Sequence, residues 1–309
     1  MKLRFSTIIL LGFISILMCN ADDENENHKL LIKVGERAKM AQLAYVTDEE
    51  ILKKYPTADI FETRASRVRT ILLKPRSGGE QALIIRGTRN STNFWTDAQF
   101  ALVKDFMSGV RLHKGFYLAA REIFWEIILH LDPQVETVIV GHSLGGAVGV
   151  IVAMFLMEIH YPVKEVITFG QPRVTDESGT VKFESMPLLR ITAPRDIVSQ
   201  LPPLFLGYRH FGKRMLVWEG TYELDESRRE QTGSKAENPA LSKIWNQLIE
   251  GERNQREFEG TDSFILTGEL LKKLLRWHRM PFYIQRLLFL IFHPGPVHPT
   301  TPSPEKISD

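Results

Sequence analysis

The passage from residue 135 to residue 159 constrains the chain more than any other. Val135-Glu136-Thr137-Val138-Ile139-Val140 is a β-branched run and predicts a buried strand. It stops at Gly141, and Ala147 to Ile159 reads as a buried helix ending near Tyr161-Pro162. Between them stands Gly141-His142-Ser143-Leu144-Gly145, a G-x-S-x-G pattern. The pattern alone is common; its placement between a strand and a helix is what gives it meaning. A serine on so sharp a turn projects its hydroxyl clear of the sheet, and the flanking glycines remove side chains that would collide there. The helix that starts at the serine directs its first N–H groups toward any nearby negative charge. Ser143 is therefore the candidate nucleophile.

The rest of the chain supplies a sheet for that turn. Residues 30–46 have helical spacing of Leu31, Val34, Ala38, Ala41 and Leu43. Thr70 to Leu73 and Ala82 to Ile85 read as strands flanking Arg76-Ser77-Gly78-Gly79, a hairpin turn. Residues 115–131 predict another helix. Val163 to Phe169, Leu188 to Thr192 and Met215 to Trp218 predict further strands. Strands alternating with helices imply an α/β fold with a mostly parallel central sheet and flanking helices. From Glu219 to Gly260 charges become dense and apolar residues sparse, which predicts a charged helical insertion, or else a linker. Residues 265–292 turn apolar again, and the proline-rich tail 293–309 is expected to lack structure. The expected division is 1–21, 22–292 and 293–309.

The first segment reads as an export signal. Lys2 and Arg4 precede the apolar stretch Phe5 to Met18, too short to span a bilayer comfortably, and cleavage after Ala21 is expected. An uncleaved anchor is the alternative. A lipid anchor on Cys19, the only cysteine, is a second one, opposed by the bulky Leu17 and Met18 before it. Cleavage after Ala21 leaves a chain without cysteine, which excludes a thiol nucleophile and a disulfide staple. A formal charge of +2 with interleaved acids and bases argues against nucleic acid as a partner. No histidine pair has metal-ligand spacing, so no metal is expected.

Gly141-His142-Ser143-Leu144-Gly145-Gly146-Ala147 resembles the elbow of the class 3 lipases, the fungal-lipase-like branch of the α/β-hydrolases. Four further segments resemble that family in order. They are Arg86-Gly87-Thr88 with Asp97, His113-Lys114-Gly115-Phe116, Phe169-Gly170-Gln171-Pro172-Arg173, and Asp196 to Pro203 running on to Gly207-Tyr208-Arg209-His210. The resemblance covers residues 30–220 and weakens afterwards. It implies a carboxylic-ester hydrolase that needs no cofactor. Thr88 and the N–H of Leu144 would form the oxyanion hole, and Asp97 would orient the Thr88 hydroxyl. Asp196 matches the family's triad acid, with Asp176 as its nearest rival.

The order Ser, Asp, His puts the base after residue 196, leaving His210, His278, His293 and His298. The resemblance favours His278, which Tyr283 follows closely, and sets His210 where the family has a histidine that is not the base; His113 reads as structural and His142 as packing. Phe94 and Trp95 lie where the family carries a lid and would suit transient contact with a lipid surface, or else core packing. The expected substrates are glycerolipids or other esters. A different class of reading is a catalytically inactive lipid- or partner-binding module, which a fluorophosphonate probe would leave unlabelled. One consequence can be checked directly. Thr88→Val keeps the backbone N–H and removes the hydroxyl, so kcat on a short-chain nitrophenyl ester should fall about 10²-fold with KM nearly unchanged. An unchanged kcat would mean that Thr88 is only a strand residue, or that its N–H alone does the stabilising.

Overall fold

The computed structural model describes residues 25–75, 79–87, 100–230 and 278–293. The export signal with Cys19, the turn residues 76–78, Thr88, Phe94, Trp95, Asp97, His298, residues 231–277 and the tail from Pro294 lie outside them.

The buried strands come from short apolar runs. Beside β1 (Asp59–Glu62) lie β2 (Arg69–Leu73) and β3 (Gln81–Ile85), then β6 (Thr137–His142), β7 (Val163–Phe169), β9 (Leu188–Thr192), β11 (Lys213–Val217) and β12 (Tyr222–Asp225). This is the order of an eight-stranded sheet among the described residues. Strands β3, β6, β7, β9 and β11 run parallel; β1, β2 and β12 are antiparallel at the two ends. Leu73 pairs with Ala82, as strands flanking the expected hairpin turn should. A second sheet joins β4 (Leu102–Lys104), β5 (Arg111–His113), β8 (Thr175–Asp176) and β10 (Tyr208–Arg209).

The central strands read as unbroken hydrophobic runs because both faces of the sheet are covered. Alternate residues divide between two cores. Val138 and Val140 of β6 join Ile84, Ile167 and Phe169 on one face, whereas Ile139 joins Leu83, Ile85 and Val166 on the other. The second of these faces is covered by α3 (Lys114–Ile127) and α4 (Leu144–Glu158). The first is covered by the helix α1 (25–43) and by α6 (Met280–Phe292); between these in the chain come α2 (Asp48–Lys54) and α5 (Glu177–Lys182).

Helix α4 has glycines at 145, 146 and 149, each about 1 kcal/mol worse than alanine for a helix. Burial outweighs that cost. Val148, Val150, Ile151, Met154, Phe155 and Leu156 are all at most 1% exposed, and each large apolar side chain contributes about 1.5–3 kcal/mol. The helix forms because tertiary packing overrides propensity.

The sequence places the charged insertion from Glu219, but the sheet continues past that point. Tyr222–Asp225 pairs antiparallel with Lys213–Val217, burying Tyr222 against the first face. Four strand residues, two of them acidic, are too few to show a period of two, so the charges hid the strand. Residue 230 is also held by the body of the protein, through Arg173.

Helix α6 turns Tyr283, Leu287 and Leu290 into the core, each with no exposure, while Phe292 is 74% exposed. It is packed tightly on α1, where a Cβ at Gly35 would lie 2.7 Å from Ile291 Cδ1. Leu287→Ala should therefore lower stability by about 2–5 kcal/mol. Phe292→Ala should stay within about 0.5 kcal/mol of the parent. Denaturant midpoints measure both, and equal effects would show that α6 is not docked in this way.

Candidate active site

Ser143 joins the end of β6 to the start of α4. Its backbone has φ 60° and ψ −132°, a region that a residue with a side chain enters only under constraint. The constraint is visible. The Ser143 N–H donates to the Phe169 carbonyl at 2.9 Å, and the Ser143 carbonyl accepts from Gly146 and Ala147 at 3.0 and 3.2 Å. A Cβ at Gly145 would lie 2.2 Å from the Ile85 carbonyl oxygen, so β3 can approach the helix start only where the side chain is missing. The strand-turn-helix context and its glycines thus stand where the sequence places them. Leu144, 3% exposed, begins α4, where backbone N–H groups have no partner within the helix.

Asp196 follows β9 and is fully buried. Its Oδ1 accepts from the Val198 N–H at 2.9 Å. Its Oδ2 accepts from the Tyr283 hydroxyl at 2.5 Å and lies 2.8 Å from His278 Nδ1. Burial first, and then the Asp196 charge, push the Tyr283 phenol well above its usual value, so it stays protonated and donates. A carboxylate facing Nδ1 fixes the proton there and leaves the His278 Nε2 lone pair as the basic site. Nε2 is buried and has no hydrogen-bond partner among the described residues. The His278 ring stacks on His142, centroids 4.8 Å apart, and His142 directly precedes Ser143. Acid, imidazole and elbow are therefore one cluster, assembled across 82 residues between Asp196 and His278.

The rivals have other partners. Asp176 caps α5 through the Ser178 N–H and pairs with Arg111 at 2.5 Å. His210 Nε2 faces the Ser199 carbonyl at 2.7 Å; burial, then the Arg190 charge, hold it well below its usual value and so neutral. His113 caps α3, accepting from Phe116, and burial lowers it to about 4. His293 is an exposed residue at the end of α6, stacked on Phe289.

Sequence reasoning gave no role to Gly170, Arg173, Glu230 or Tyr45. Arg173 is 1% exposed and bonds the Glu230 carboxylate through Nε and Nη2 at 2.9 and 2.8 Å. Its Nη1 donates to the Pro202 carbonyl at 2.9 Å and to that of Gln200. Arginine and carboxylate together hold the loop that follows Asp196. Burial would raise the Glu230 carboxyl, but the Arg173 bonds override it and hold it far below its usual value. The segment Phe169 to Arg173, which resembles the family, contains Gly170 and Arg173; nothing local marks Tyr45 or Glu230.

The strand order and the strand-turn-helix at Ser143 define the α/β-hydrolase fold. Residues 82–206 match the model of the class 3 lipases. The match holds Ser143 and Asp196 and ends before His278. A secreted mono- and diacylglycerol lipase of Fusarium solani is 32% identical over 140 residues, 42% of this chain and 42% of the relative. A lipase of Rhizomucor miehei is 30% identical over 191 residues, 57% of this chain and 50% of the relative. The chain thus spans half or less of the length of these relatives. Among solved structures, the Rhizomucor miehei triacylglyceride lipase superposes with a TM-score of 0.56 at 20% identity, covering 66% of this chain and 88% of that one. The lipase of Rhizopus microsporus var. chinensis gives 0.55 at 23%, covering 67% and 80%. At these identities the likeness carries the fold alone.

Gly170 tests the cluster. It has φ +58°, and a Cβ there would lie 2.6 Å from Asp196 Oδ2 and 2.8 Å from His278 Nδ1. Gly170→Ala should cut kcat at least about 10²-fold by displacing the pair. Retained kcat in a folded variant would mean that the pair is not used.

Proposed function

We propose that this chain is an exported serine carboxylic-ester hydrolase acting on glycerolipids. The observation that carries the reading is the buried Asp196–His278 pair, 2.8 Å apart, beside the strained turn at Ser143. In the proposed reaction His278 Nε2 takes the proton of the Ser143 hydroxyl as Oγ attacks the ester carbonyl. The N–H groups of Thr88 and Leu144 stabilise the oxyanion, with Asp97 orienting the Thr88 hydroxyl. The imidazolium then returns its proton to the departing alcohol, and Asp196 stabilises the cation meanwhile. Water activated by the same histidine releases the fatty acid and restores the serine. No step needs a metal or a cofactor.

Glycerolipids are proposed because the relatives are named lipases, including a secreted mono- and diacylglycerol lipase. Triacylglycerol and phospholipid esters share the bond attacked. Export rests on the segment 1–21 and on the secreted relatives. Transient contact with a lipid surface would bring substrate to the site.

Ser143→Ala and His278→Ala should each lower kcat on a nitrophenyl ester by about 10⁴-fold or more, with folding intact, because the two groups act as a unit. A fluorophosphonate probe should label the parent at Ser143 and neither variant. A serine variant that keeps its activity would refute the nucleophile. A folded parent that takes no label would favour the binding module.

A further inference from the structure

The Gly-His-Ser motif carries a second imidazole that this chemistry leaves idle. His142 is 6% exposed, and both of its ring nitrogens are engaged. Nε2 lies 2.6 Å from the backbone carbonyl oxygen of His278, and Nδ1 lies 2.7 Å from the Tyr45 hydroxyl. The ring stacks on that of His278 with an interplanar angle of 28°. A carbonyl oxygen can only accept, so Nε2 carries the proton and Nδ1 accepts from Tyr45. The arrangement closes only for a neutral ring. Burial, and then the charge of a protonated His278, push His142 down to about 3. Burial raises the Tyr45 phenol to about 12, so the phenol remains a donor.

We propose that His142 is a positioning residue, whose Nε2–H holds the backbone of His278 while the Tyr45 hydroxyl selects the tautomer able to do so. This rests on the reading of His278 as the base. Asp196 holds the base at one ring nitrogen, about which the side chain could still pivot. The bond from His142 fixes the base at its backbone, next to Arg279, an N-cap without a side-chain capping bond. Two anchors on one residue set where Nε2 points, and a misplacement of about 1 Å can cost about 10²-fold in rate. Because His142 stays neutral, its stacked ring places no opposing charge beside the imidazolium that forms.

A packing histidine and a positioning histidine respond differently to substitution. His142→Phe keeps the stacked ring and loses the donor. It should lower kcat about 10- to 100-fold with KM nearly unchanged. His142→Gln, whose amide N–H can reach the same carbonyl, should recover most of that loss. Tyr45→Phe should lower kcat several-fold. Nitrogen-15 spectra of histidine-labelled protein should show His142 protonated at Nε2 in the parent and a mixture of tautomers in Tyr45→Phe. Melting temperatures and His278→Ala are measured alongside.

A folded His142→Phe with full kcat overturns the inference, as does a His142→Gln no better than it. If the phenylalanine variant does not fold, the spectra decide, and a parent His142 protonated at Nδ1 overturns it. Activity surviving in His278→Ala would instead remove the base itself, a separate failure from that of His142.

Discussion

The buried carboxylate of Asp196 sets the terms for everything around it. A charge taken out of water costs several kcal/mol unless donors replace the lost solvent. Three donors do so: the Val198 N–H, the Tyr283 hydroxyl and the His278 ring. Tyr283 belongs to α6, and His278 stands just before that helix. The helix must therefore be docked for the carboxylate to be tolerated. Its docking needs the apolar stripe of Tyr283, Leu287 and Leu290, the glycine gap in α1 and the sheet face between them. The apolar core and the polar site thus depend on one another.

The elbow is a second constraint of the same kind. An unfavourable φ at Ser143 persists only where surrounding bonds and close contacts over-determine it. Strand β7 supplies the Phe169 carbonyl, β3 presses on Gly145, and α4 is too deeply buried to shift. The cost of the strained turn is offset by burial elsewhere in α4, far from the chemistry.

Much of this was legible in the sequence, for physical reasons. The parallel strands are sandwiched between helices, so they appear as continuous apolar runs, and β7 and β9 have the bounds their composition predicts. Ser143 was marked by its local context. Asp196 and His278 were marked by chain order and resemblance, and the structure brings those two together. Local patterns could not show partners joined by the fold. Tyr45 meets His142 across 97 positions, and Glu230 meets Arg173 across 57. Histidine beside the serine read as packing because neither the Tyr45 hydroxyl nor the His278 carbonyl is near it in sequence. The edge strand β12 was hidden by its own charges. Thr88 and Asp97 lie outside the described residues.

The wide spacing of the cluster has a consequence for the nascent chain. Ribosomes extend a protein from its N-terminus, and the sheet around Ser143 can gather before residue 278 has been made. Until then Asp196 lacks two of its three donors, and the ring that stacks on His142 is missing. The buried carboxylate is therefore fully satisfied only once α6 has been made and docked on the sheet.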